Sequence, residues 1–168
     1  MLKIEKVKIE KINTEAIIIP SNGIASMNNG IAEVIRSVGG KSIQDEAKKI
    51  YAQNKKPFLQ GSFYITKAGT LENLGIKYIF HAVLVKYPNE SISMQNIILS
   101  LEQIFKEATK KGICSITVFE LGTDCNVLDK DSIARNIISI SRKYCDKLDI
   151  TISPNDERFE VSLTKFML

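Results

Sequence analysis

With 168 residues, 44% apolar and 25% charged, the chain has the size and composition of an ordinary globular domain, which excludes disorder and requires no disulfide staple. The net charge of +4 is mild and lysines alternate with glutamates, so a solvated face that favours an anionic small ligand is expected rather than a nucleic-acid surface. Three cysteines, Cys114, Cys125 and Cys145, are odd in number and lack a CxxC pair, which argues against both a disulfide framework and a zinc site and leaves reduced thiols.

In chain order, residues 1–6 mix charge into alternate positions, unlike a signal peptide or a membrane span, so a cytoplasmic protein with no membrane partner is expected. The period-two pattern of residues 2–9 predicts a strand with one buried face, and the β-branched run 16–19 predicts a central strand. Helices are predicted over 30–38 and 41–54, divided by Gly39-Gly40, and strands over 62–67 and 76–85 around a loop at Gly69 and Gly75. Met94, Ile97, Ile98, Leu101, Ile104, Phe105 and Ala108 recur at three-and-four spacing, the stripe of a helix lying on a sheet, with Gly112 as its stop. A strand over 113–119, a helix over 131–144 and a strand over 148–152 follow. Ser153 and Pro154 then suit the cap and first position of a last helix that buries Phe159, Leu163 and Phe166. The unbroken alternation predicts one α/β domain over 1–168, a three-layer α/β/α arrangement with a central mixed, mostly parallel sheet.

In such sheets ligands gather beyond the carboxyl ends of the strands. Two segments there stand out. Residues 20–31 run from a buried strand through Ser21, Asn22, Gly23, Asn28 and Asn29 into a helix at Gly30, which aims backbone N–H groups and a helix N-terminus at one point, as pyrophosphate requires. Residues 120–129 repeat that logic with Gly122, Thr123, Asp124, Cys125 and Asn126. The same residues make ordinary turns elsewhere, so the loops alone do not define a ligand.

The succession Ile17-Ile18-Ile19-Pro20-Ser21-Asn22, Asn28-Asn29-Gly30-Ile31 and Val38-Gly39-Gly40 resembles the stretch of macrodomains in which an Asn-Ala-Ala-Asn segment precedes a glycine-rich loop and the first helix. Gly61 to Gly69, followed by Tyr78-Ile79-Phe80-His81-Ala82-Val83, is similar to the family's segment ending in Ile-His-Ala-Val, and the likeness covers almost the whole chain. It implies a module that binds ADP-ribose or a related nucleotide, free or protein-attached, and that uses no cofactor or metal. It also implies that Gly30 and Ile31 offer backbone contacts to the phosphates, with Asn29 beside them. Gly122, Thr123, Asp124, Cys125 and Asn126 would cover those phosphates from the other side, while Asn22 bonds the distal ribose and Ile9 joins the ligand-binding set.

This chain departs from the pattern in three places. Lys8 stands where macrodomains commonly carry an Asp that accepts the adenine amino group, and an ammonium cannot accept. Ala32 stands where members that release ADP-ribose from proteins carry an Asp ten positions after the ribose-contacting Asn. Asp124 replaces a glycine beside the pyrophosphate. The departures leave open two alternatives to binding. One is a hydrolase of ADP-ribosyl groups or of a phosphate on ADP-ribose, with Asp124 and Lys86 as its catalytic residues. The other is a scaffold that has lost its ligand. His81 is expected to be a core histidine with one ring nitrogen satisfied, and nothing near Cys125 in sequence would depress its thiol pKa. Gly40-Lys41-Ser42 follows a helix rather than a strand and is no P-loop. The sequence carries no signal of oligomeric state.

Overall fold

A computed structural model describes residues 1–123 and 127–168. Six strands, β1 (Leu2–Ile4), β2 (Ala16–Asn22), β3 (Phe63–Lys67), β4 (Tyr78–Val85), β5 (Ser115–Phe119) and β6 (Asp149–Ser153), form one sheet in the order β1-β6-β5-β2-β4-β3. All neighbours pair in parallel except β3 with β4, so the sheet is mixed and mostly parallel. The helices are α1 (Gly30–Gly39), α2 (Lys41–Asn54), α3 (Met94–Lys110), α4 (Lys130–Arg142) and α5 (Glu157–Met167).

The central strands read as continuous apolar runs because both of their faces are covered. Alternate residues divide between two cores. Ile18, Phe80, Val118 and Ile152 pack with the inward stripes of α3, α4 and α5, while Ile17, Ile19, Ile79 and Phe119 pack with those of α1 and α2. The result is the three-layer α/β/α arrangement. On α3, Ile97, Leu101, Ile104 and Phe105 are fully buried, each contributing about 1.5–3 kcal/mol by removal from water. Ser93 caps this helix by accepting from the Asn96 N–H at 3.2 Å, and Asp129 caps α4 by accepting from Ser132 N–H at 2.9 Å. Between α1 and α2 the break falls at Gly40, whose φ of 94° is open to glycine at little steric cost.

Two elements differ from their sequence pattern. The expected strand over 2–9 stops at Ile4, and the chain then turns through a 3-10 segment, Ile9–Lys11. After Glu5 N–H donates to Ile152 O, the Val7 N–H is taken by the Ser153 hydroxyl at 3.1 Å, while Ile9 and Ile12 are buried in the α1/α2 core. The alternation there reports burial without a ladder. The last helix begins at Glu157, not at Pro154, because the Asp156 carboxylate accepts from Phe159 N–H at 2.8 Å and is also held by Lys130 at 2.6 Å. Ser153 stays in β6.

Pro20 lies inside β2, longer than the expected 16–19. Its pairing with β5 ends at Ile18, so a residue without an N–H sits where one of the two ladders has finished.

Candidate functional site

Parallel pairing puts the ends of β2, β4, β5 and β6 on one rim, bringing together the segments after Asn22, Val85, Phe119 and Ser153. Asn22 is buried, and its Oδ1 accepts from the N–H groups of Ile24 at 3.2 Å and Ser26 at 3.1 Å, while Nδ2 donates to Ser26 O at 3.2 Å. The side chain expected to meet a ribose therefore also braces its own loop, a local Asx-type role that makes the rim stiff. Gly23 N–H is shared between the carbonyls of Val85 and Lys86, both at 2.9 Å, and Gly23 O accepts from Phe58 N–H at 2.8 Å. A Cβ here would lie 2.7 Å from Phe58 O and 2.8 Å from Lys86 O, so only glycine closes this junction.

Helix α1 starts at the same rim. Its N-cap, Asn29, makes no side-chain capping bond, and Gly30 has a φ of 57°. The first-turn N–H groups, those of Gly30 and Ile31 included, have no partner within the helix and stand at the positive end of its dipole, a setting suited to an anion. Arg36 fixes the approach by donating to Asn28 Oδ1 at 3.0 Å and Gln44 Oε1 at 3.2 Å.

Two cavities open beside this helix end and share Ile31 as a wall. The first, about 350 Å³, is lined by Ser21, Asn22, Ser26, Asn29, Gly30 and, across from them, Glu90. The second, about 340 Å³, is lined by Lys6, Lys8, Ile9, Glu10, Phe119 and Asn155. Asn22, Asn29, Gly30, Ile31 and Ile9, all singled out from the sequence, are thus brought to one edge of the sheet. Gly122, with a φ of 81°, and half-buried Thr123 follow β5 there; a Cβ on Gly122 would come within 2.6 Å of Ile97 Cδ1 on α3. Asp124, Cys125 and Asn126 lie outside the described residues.

Lys86, proposed from the sequence as a catalytic residue, follows β4 but is not among the residues that line the first cavity; its ammonium lies 5.4 Å from the Tyr87 ring centre. The Oε2 of Glu90 accepts from the N–H groups of Lys86 and Tyr87, both at 3.0 Å, and ties that turn. His81 is fully buried, with Nε2 bonded to Thr66 Oγ1 at 2.9 Å, and burial lowers its pKa to about 3. A neutral ring sealed from the rim is a core residue, as its apolar neighbours in sequence suggested.

Three features at the rim were not legible beforehand. Glu10 lines the second cavity alongside Lys8. The buried Glu120 carboxylate accepts from Asn155 N–H at 2.7 Å and holds the turn after β6 that borders the same cavity. Ser21 is joined to Tyr64, 43 positions away in the chain. A charge ending an apolar strand run was the one sequence sign of Glu120; the other two depend on tertiary contacts.

Comparison with known proteins gives concordant matches. The Macro domain family model matches residues 18–137. An uncharacterized protein of Aquifex aeolicus (strain VF5) is 26% identical over 162 residues, covering 95% of this chain and 93% of its own length. Among solved structures, the macrodomain of Mycobacterium tuberculosis DarG superposes with a TM-score of 0.80 at 19% identity, covering 93% of this chain and 99% of that one. A mutant Oceanobacillus iheyensis macrodomain with ADPR gives 0.84 at 16% identity, covering 99% and 91%. The Trypanosoma brucei macrodomain in complex with ADP-ribose gives 0.81 at 17% identity, covering 99% and 69%.

Proposed function

Because this chain belongs to the Macro domain family, we propose that it binds ADP-ribose, free or protein-attached, or a closely related nucleotide, in the cleft made by the two cavities that meet at Ile31. The observation that carries the reading is the start of α1. A helix N-terminus without a side-chain cap stands between two cavities, each of a size suited to part of a small ligand. Two structural neighbours hold ADPR or ADP-ribose, which supports the same ligand class.

In this reading the N–H groups of Gly30 and Ile31 meet the diphosphate, with Gly122 and Thr123 after β5 on its other side. Asn22 and Asn29 face the distal ribose, Asn22 through the second hydrogen of its Nδ2. Ile9, Ile31 and Phe119 supply apolar surface for a base, at the end where Lys8 and Glu10 stand. The module spans residues 1–168.

Binding is the reading this geometry supports best. Among the described residues the first cavity holds a single carboxylate, Glu90, whose Oε2 is occupied by backbone N–H groups, so hydrolysis would draw on Asp124 with Lys86. Calorimetric titration with ADP-ribose is expected to give saturable one-to-one binding; no heat change at millimolar ligand with folded protein sinks the proposal. Release of ADP-ribose from a modified protein, lost in Asp124→Ala, would instead establish the hydrolytic alternative.

A further inference from the structure

Behind the floor of the first cavity lies a stack of three rings. Phe58 and Tyr64 are 5.0 Å apart between centroids at 21°, and Tyr64 and His81 are 4.3 Å apart at 10°. The antiparallel register puts Tyr64 directly opposite His81, and the parallel register of β2 with β4 puts Ser21 opposite Val83, two residues further on. The Tyr64 hydroxyl consequently reaches Ser21 Oγ at 2.9 Å. Tyr64 is 5% exposed, while Ser21 is half-buried and lines the cavity.

The direction of this bond follows from the cost of an unused buried donor. Among the described residues Ser21 is the one hydrogen-bond partner of the Tyr64 hydroxyl. If Ser21 donated, the buried phenolic hydrogen would have no acceptor; if Tyr64 donates, the serine hydrogen remains free and the cavity is open to it. Burial raises the Tyr64 pKa to about 12, so the phenol keeps its proton throughout the neutral range. Stacking on both faces leaves the ring one position from which to donate.

We propose that Ser21 is a ligand-contacting residue of the first cavity, its hydroxyl aimed by Tyr64 so that it donates to an oxygen of the terminal ribosyl group. Tyr64 is then a positioning residue that touches no ligand. This rests on the ADP-ribose reading above and adds to it a selectivity for ligands that carry the second ribose, which ADP lacks.

Titrations of the wild-type chain, Ser21→Ala and Tyr64→Phe with both ADP-ribose and ADP test it. Tyr64→Phe keeps the ring stack, and thermal melting checks that each variant is folded. Either change is expected to weaken ADP-ribose roughly three- to tenfold, the range of one neutral hydrogen bond, and to leave ADP within about twofold. The double variant should lose little beyond either single one, because the two hydroxyls act as a unit. An unchanged ratio of ADP-ribose to ADP affinity in both folded single variants would overturn the assignment while leaving the binding reading intact. Failure of the wild-type chain to bind either ligand would overturn both.

Discussion

At the Asn22 end of the cleft the groups that shape the wall are engaged with one another, whereas at the Lys8 end the charged lining is exposed to solvent. Asn22 uses both ends of its amide within its own loop, Gly23 is locked against Phe58 and Lys86, and Ser21 rests on a buried phenol. Lys6, Lys8 and Glu10, by contrast, are exposed side chains around an apolar floor of Ile9 and Phe119. A wall held by backbone and buried hydroxyls offers one shape at little ordering cost. Long charged side chains offer attraction and adjustable contacts, and lose rotamer freedom when they engage. The first end is therefore suited to selecting a ligand by fit and the second by charge.

Substitution at Gly23 breaks the rigid end most severely. Gly23→Val drives a branched side chain into two carbonyl oxygens and is expected to destabilise the fold by about 3 kcal/mol or more, read by urea denaturation. A variant as stable as the parent would show that the junction gives way.

Acid acts on the same end from behind. His81 is the sole histidine, and its folded pKa of about 3 lies below the unfolded value of about 6.5. The unfolded chain thus binds the extra proton, so stability is full above pH 6.5 and declines as the pH falls towards 3. Between pH 7 and pH 5 the loss is about 2 kcal/mol. His81→Phe should flatten that interval in denaturation midpoints, whatever it does to absolute stability.

Lys8→Asp sharpens the contrast from the other side. It supplies an acceptor for the exocyclic amine of adenine, and ADP-ribose affinity is expected to rise about tenfold with melting temperature nearly unchanged. Weaker binding would mean that the ammonium contributes more through its charge than an added acceptor returns. The smallest effect is expected at Asn89, which lines the rigid end with a φ of 71°. Asn89→Gly relieves a left-handed conformation and should alter stability by no more than about 0.5 kcal/mol in thermal melts.

The core strands were legible because their residues meet apolar surface on both faces, and the α1/α2 break because Gly39-Gly40 marks it locally. The end of the first strand was not, since Ile9 and Ile12 keep the apolar spacing while the Val7 N–H bonds a serine hydroxyl 146 positions away. Asp156 prevailed over Ser153 as the cap through its second partner, Lys130 on α4, another contact between distant segments. At the site, the small polar loop entering α1 announced itself. The Tyr64 support did not, because only strand register makes it a neighbour of Ser21.

The most direct measurement is a crystal structure with ADP-ribose bound. The diphosphate should lie within hydrogen-bond distance of the Ile31 N–H, the terminal ribose in the cavity floored by Ser21 and Asn22, and the base against Ile9 and Phe119. Ligand at saturating concentration found elsewhere on the molecule, with both cavities vacant, would contradict the account.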